Sequence, residues 1–141
     1  MNYSRLAVAA LSATVAYFII GFLVFGLLPL LRNEFRKYPA VYRTEEAMKG
    51  VMPVGLIATF VAILVLAIIY AMIYRGGSGL AEGARFGMLI GGFAVCAFVL
   101  HNYVNLNIGL KLTLGQTAAY FVEWTIVGIV IGLIYRPAIT R

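Results

Sequence analysis

Gly83 to Asn107 reads GARFGMLIGGFAVCAFVLHNYVNLN. Gly83, Gly87 and Gly91 recur every four residues. On a helix that interval puts three bare backbone patches on one face, where a second helix can approach closely. The stretch then stays apolar for about one bilayer crossing and ends in His101, Asn102, Asn105 and Asn107. It predicts a membrane helix, with three more such helices packed around it.

Composition supports that reading. The 141 residues are 63% hydrophobic, with a mean hydropathy of +0.98 and only 11% charged residues. Soluble domains carry roughly 25% charged residues. A soluble fold of this size could not cover so much apolar surface, so lipid is the expected solvent and membrane lipids the first expected partners. The net charge of +6 does not indicate nucleic acid, because the eleven Lys and Arg residues are scattered over segment ends and loops. Such placement suits helix ends meeting anionic headgroups. A lone Cys96 cannot form an internal disulfide and reads as a small apolar residue.

Four apolar segments follow from the pattern: Leu6 to Leu31, Val51 to Tyr74, Ala81 to Tyr103 and Thr113 to Tyr135, with a polar loop over residues 32–50. The expected fold is all-α, a four-helix transmembrane bundle in a single domain over residues 1–141. The N-terminal run is too long for a signal-peptide core and reads as an uncleaved first helix. Pro29 falls in the last turn of the first segment, where it can end or bend the helix. Pro53 is expected in the first turn of the second, where proline is tolerated. Thr44 followed by Glu45 and Glu46 resembles a helix N-cap. The short Arg75-Gly76-Gly77-Ser78-Gly79 turn makes segments two and three expected antiparallel neighbours. Glu82 and Arg85 are placed to pair. Arg136 and Pro137 close the last segment.

Four spans put both termini on one side. Arg5, Arg75, Arg85, Arg136 and Arg141 share that side, against Arg32, Arg36, Lys37, Arg43, Lys49 and Lys111 on the other. The balance is close. The α-amino group and the opposing Glu34, Glu45 and Glu46 tip the expectation to both termini inside, in a bacterial cytoplasmic membrane.

Glu123 carries the most information about chemistry. It falls near the middle of the fourth segment, where an ionised carboxylate costs several kcal/mol unless paired or hydrated. It must face other helices, be protonated or line a polar cavity. Gln116, Tyr120 and Glu123 share one helical stripe, and Tyr17 and Thr59 fall near the same depth. A polar column from His101 through Gln116 and Tyr120 to Glu123 is expected if segments three and four pack face to face. The functional reading is an intramembrane proton, cation or small-ligand site made of Glu123, Tyr120, Gln116, His101, Asn102 and Tyr17. The bland reading is that Glu123 hydrogen-bonds to Tyr17, Thr59 or Asn102 and locks helices together. One His without nearby Cys, Asp or Glu is a poor ligand set, so no metal and no cofactor is expected. Gly83, Gly87, Gly91, Gly128 and Gly132 are expected helix-packing positions, within the chain or between copies. No phosphate loop, HExxH, GxSxG or CxxC is present, and no enzyme is inferred.

Three pieces of the chain carry a family resemblance. They are Asn2 with the following LAVAALSATVAYFIIGFLVF, the run GARFGMLIGGFAV, and the terminal GQTAAYFVEWTIVGIVIGLIY. The chain resembles the small bacterial four-helix membrane proteins grouped as domain of unknown function 1761. It lacks the tryptophan expected near the end of the first helix. The resemblance implies a fold and a membrane, and no site. The leading expectation for function is a self-associating structural or accessory subunit, a homo-oligomer or part of a larger membrane complex. Two alternatives remain open. One is a small proton- or cation-coupled transporter centred on Glu123. The other is a ligand or cofactor binder using His101 and Glu123. The four-helix multidrug exporters are similar in size, but their essential carboxylate lies in the first helix.

Overall fold

The structure, a computed structural model, describes residues 1–136. Pro137 and Arg141 lie outside the described residues. Five helices and no strand occur among the described residues. They are α1 (Tyr3–Leu27), α2 (Pro29–Phe35), α3 (Glu45–Ile73), α4 (Gly79–Asn105) and α5 (Leu110–Ile134). All but the short α2 are long and apolar enough to cross a membrane. The chain is all-α, with four candidate spans.

Local chemistry sets the boundaries. The Asn2 side chain accepts the Arg5 N–H at 3.0 Å and caps α1. The last stretch of α1, Phe22–Leu27, widens into a π-helical turn. Leu28 is extended, with φ −74° and ψ 111°, as the residue before proline prefers. Pro29 then opens α2, where its missing N–H costs nothing. The expected first helix to Leu31 is therefore two helices. Thr44 caps α3, accepting the Ala47 N–H at 3.2 Å, with Glu45 and Glu46 in the first turn. The helix thus starts at Glu45 rather than Val51, and Pro53 lies inside it rather than in its first turn.

The expected centre of the fold is corrected. α5, not α4, is the hub: α4 covers it most extensively, then α1, then α2, with α3 barely touching it. α3 packs mainly on α1. The expected pairing of α3 with α4 is also corrected, since despite their short connection they do not pack along their length. They meet near the turn, where the Tyr70 and Phe86 rings lie 5.4 Å apart. The physical reason is that the glycine faces of α4 and α5 allow backbone-to-backbone approach, and that contact outweighs the pull of a short loop. Glu82 does not pair with Arg85; its Oε1 accepts the Gly77 N–H at 3.1 Å.

The polar loop is a folded cap. Leu31 packs with Ile108, Leu112 and Ala119, flanked by Phe35, Tyr38 and Val41. Beneath this layer Glu34 is 5% exposed and pairs with Lys37 at 2.8 Å and Lys111 at 3.0 Å. The Lys37 ammonium, then that of Lys111, hold its carboxyl below the usual carboxylate range. Glu34 in turn raises Lys37. At the other end of the protein the described chain ends meet. The Arg5 guanidinium donates to the Arg136 carbonyl, and the Asn2 N–H donates to the Tyr135 hydroxyl at 3.4 Å. The two described ends therefore lie at the same end of the long helices.

Candidate intramembrane site

Glu123 lies near the midpoint of α5 and is 1% exposed. Both its carboxyl oxygens are buried, and neither has a hydrogen-bond partner among the described residues. The expected bond to Tyr17, Thr59 or Asn102 is not formed.

Its surroundings come from α1. Tyr17, Gly21 and Phe25 recur every four residues and so share one face. Gly21 makes room for the acid: a Cβ there would sit 3.1 Å from Glu123 Oε1. Aromatic pairs close the seam on either side. Tyr17 packs on Trp124 with ring centroids 5.2 Å apart, and Phe25 packs on Tyr120 at 5.8 Å. The π-helical turn of α1 begins one residue after Gly21. Such turns interrupt regular helix pairing and often mark functional positions.

The Gln116–Tyr120–Glu123 stripe runs from this seam to the cap. Gln116 is buried, and its Nε2 donates to the Tyr42 hydroxyl at 3.4 Å. Tyr42 stacks edge-on against Phe35, so α2 and the following loop fix it. Tyr120 is half-buried beside Glu123.

His101 and Asn102 lie elsewhere. Both are exposed on α4. Val95 and Val99 take the inward positions of the π-helical stretch Val95–Leu100, and His101 and Asn102, which follow it, are left on the outside. The column expected to begin at His101 therefore begins at the Tyr42–Gln116 contact. Among the described residues no group of three or more His, Cys, Asp or Glu side chains converges on a metal-sized site. Cys96 is exposed and free.

The glycines form a second seam on the far side of α5. Gly83 sits over Gly132, where an added Cβ would lie 3.1 Å from the Gly132 Cα. One on Gly87 would lie 2.8 Å from the Thr125 Cα. Gly91 faces the Phe121 backbone at 3.0 Å, and Gly128 faces the Gly87 backbone. Gly79 extends the row by one more turn, against the Gly132 carbonyl.

Gly21, Phe25, Tyr42 and Gly79 were not singled out from the sequence. Two of them were within reach. Spacing of four carries the α4 glycine row back to Gly79, and the same spacing links Tyr17, Gly21 and Phe25. Tyr42 gave no signal, because nothing local says that a loop folds back over a span.

The site therefore holds one buried carboxyl in an aromatic seam, with no ion-pair or hydrogen-bond partner among the described residues. Ionised, it would cost several kcal/mol. No curated protein and no solved structure matches the chain. A sequence profile of the family described as "Protein of unknown function (DUF1761)" matches residues 8–132, which reach into all four long helices and include the Glu123 seam, so the chain belongs to that family.

Proposed function

We propose that this is a small multi-pass membrane protein whose α1–α5 seam carries a proton at Glu123, with protonation coupled to how α1 sits on α5. The single observation behind the reading is a carboxyl that is fully buried and unpartnered. A residue kept only to lock helices together would be expected to form a hydrogen bond, and this one forms none. Leaving a buried polar group unsatisfied costs stability, and such costs tend to be retained where function uses them. The adjoining π turn and the Gly21 notch supply a place where α1 can shift. The expected setting is a bacterial cytoplasmic membrane with both ends inside. The test is proton-coupled flux in liposomes, together with the infrared band of a protonated carboxylic acid. The wild type should show both, and Glu123→Gln should abolish both. Wild-type flux in that variant would remove Glu123 from the mechanism.

A second reading, self-association as a structural or accessory subunit, is favoured by the first half of α3. From Glu45 to Ala58 every residue is exposed, and Gly50 and Gly55 have open space where a Cβ would stand. In a monomer, Gly55→Ala should stabilise by about 0.5–1 kcal/mol through helix propensity alone. Loss of a cross-linked dimer in that variant would support the second reading over a bare lipid-facing helix.

A further inference from the structure

α3 and α4 splay apart beyond their tight turn and leave a groove of about 250 Å³ at one end of the spans. Arg75, Glu82 and Arg85 line its polar end; Ile73, Phe86 and Leu89 line its apolar end. Tyr70 also lines it, is 1% exposed, and has a hydroxyl with no hydrogen-bond partner among the described residues. Among the described residues neither Arg75 nor Arg85 forms an ion pair. Glu82 is the one acid at the groove, and its Oε1 is turned to the Gly77 amide.

From this arrangement we infer that the α3–α4 groove is a binding site for the phosphate of an anionic phospholipid. Two exposed guanidiniums and an orphan phenol hydroxyl supply donors of the kind a phosphodiester accepts. Arg75 stands just past the end of α3, Arg85 in the first turns of α4 and Tyr70 in the last turn of α3, all at headgroup depth. The apolar wall favours a lipid over a free ion. Leu89 is 74% exposed and continues the groove toward the hydrocarbon, where an acyl chain would lie. Basic pockets between spans are a recurrent form of headgroup recognition. The site lies apart from Glu123, and the inference does not rest on the proton-site reading.

The test uses the full chain in detergent, incubated with an equal mixture of phosphatidylglycerol and phosphatidylcholine. Retained lipid is counted by native mass spectrometry. The wild type should retain phosphatidylglycerol in preference. Arg75→Gln with Arg85→Gln should weaken that retention about 30-fold. Arg43→Gln with Lys49→Gln, on the opposite side, should leave it unchanged. Tyr70→Phe removes only an unpartnered hydroxyl. It should therefore leave the lipid-free Tm unchanged or raised while weakening retention about fivefold. Millimolar inorganic phosphate should not displace the lipid. Equal retention of the two lipids, undiminished retention in the arginine double variant, or displacement by inorganic phosphate would each overturn the inference.

Discussion

α5 meets α4 and α1 on different terms. Toward α4 it presents Gly128 and Gly132, and the partner answers with Gly79, Gly83 and Gly87, so backbone lies against backbone. Toward α1 it presents Tyr120, Glu123 and Trp124, and the partner answers with Tyr17, Gly21 and Phe25. At Gly83, Gly87, Gly128 and Gly132 only backbone meets backbone, so no side chain can rearrange there. The aromatic seam holds a carboxyl with no hydrogen-bond partner among the described residues, whereas a π-helical turn occurs in both flanking helices, Phe22–Leu27 in α1 and Val95–Leu100 in α4, and does not separate the two seams. One helix thus has a face suited to permanent packing and a face suited to change. The contrast lies in side-chain volume and polarity, since both faces are equally helical.

The sharpest way to break this comparison is to put bulk into the glycine seam. A Cβ on Gly87 would lie 2.6 Å from the Thr125 carbonyl oxygen and 2.7 Å from that of Trp124. Backbone cannot yield as a side chain does, so Gly87→Leu should destabilise by about 3 kcal/mol or prevent folding. Reversible unfolding in mixed micelles measures it, and a mild effect would mean that this seam is looser than its geometry.

On the other face the expected sign reverses. Glu123→Leu removes an unsatisfied buried carboxyl and should stabilise by about 1–3 kcal/mol. Destabilisation in the same unfolding assay would recast the acid as glue and erase the difference between the seams.

Gly21→Ala sharpens the comparison further. The new methyl group would press on Glu123 Oε1 at 3.1 Å, at a cost of about 1 kcal/mol that offsets the roughly 0.5–1 kcal/mol of helix propensity gained in replacing glycine. A double-mutant cycle with Glu123→Ala should recover most of that cost, because the two positions share one contact.

The smallest effect concerns the cap, which belongs to neither seam. Glu34 has a lowered folded-state value. Its contribution is therefore fully present above the unfolded carboxylate value of about 4.3 and is lost as pH falls from there through the folded value. Lys37 is raised, so its share is present below the unfolded lysine value of about 10.4 and is lost as pH climbs through the folded one. Tm measured from pH 7 downward should show an acid limb that Glu34→Gln reduces, the ion-paired Glu45, also lowered by Arg36 and Arg32, keeping the remainder.

Some of this was legible in the chain and some was not, for identifiable reasons. Four apolar runs of bilayer length announce four spans, and the Thr44 cap and the Pro29 break follow from local backbone chemistry. The glycine row was readable from its spacing. The placement of Glu34 under a cap was not. The segment is charged, and only folding back over Ile108 and Leu112 buries it. His101 looked level with the polar stripe by depth along the helix. Depth says nothing about rotation, and the inward positions of α4 go to Val95 and Val99.

The amino-acid sequence by itself determined four apolar helices long enough to cross a membrane, the Thr44 cap, and one acid near the middle of the last of them, because hydropathy, capping chemistry and helix rise are local properties. Only the tertiary structure decided that α5 is the hub, that α3 stands away from α4, and that Glu123 faces Gly21 with no donor in reach. Those outcomes depend on which helix faces meet, and that is a competition among contacts distant in sequence. Here it was decided by how closely bare glycine backbones can approach.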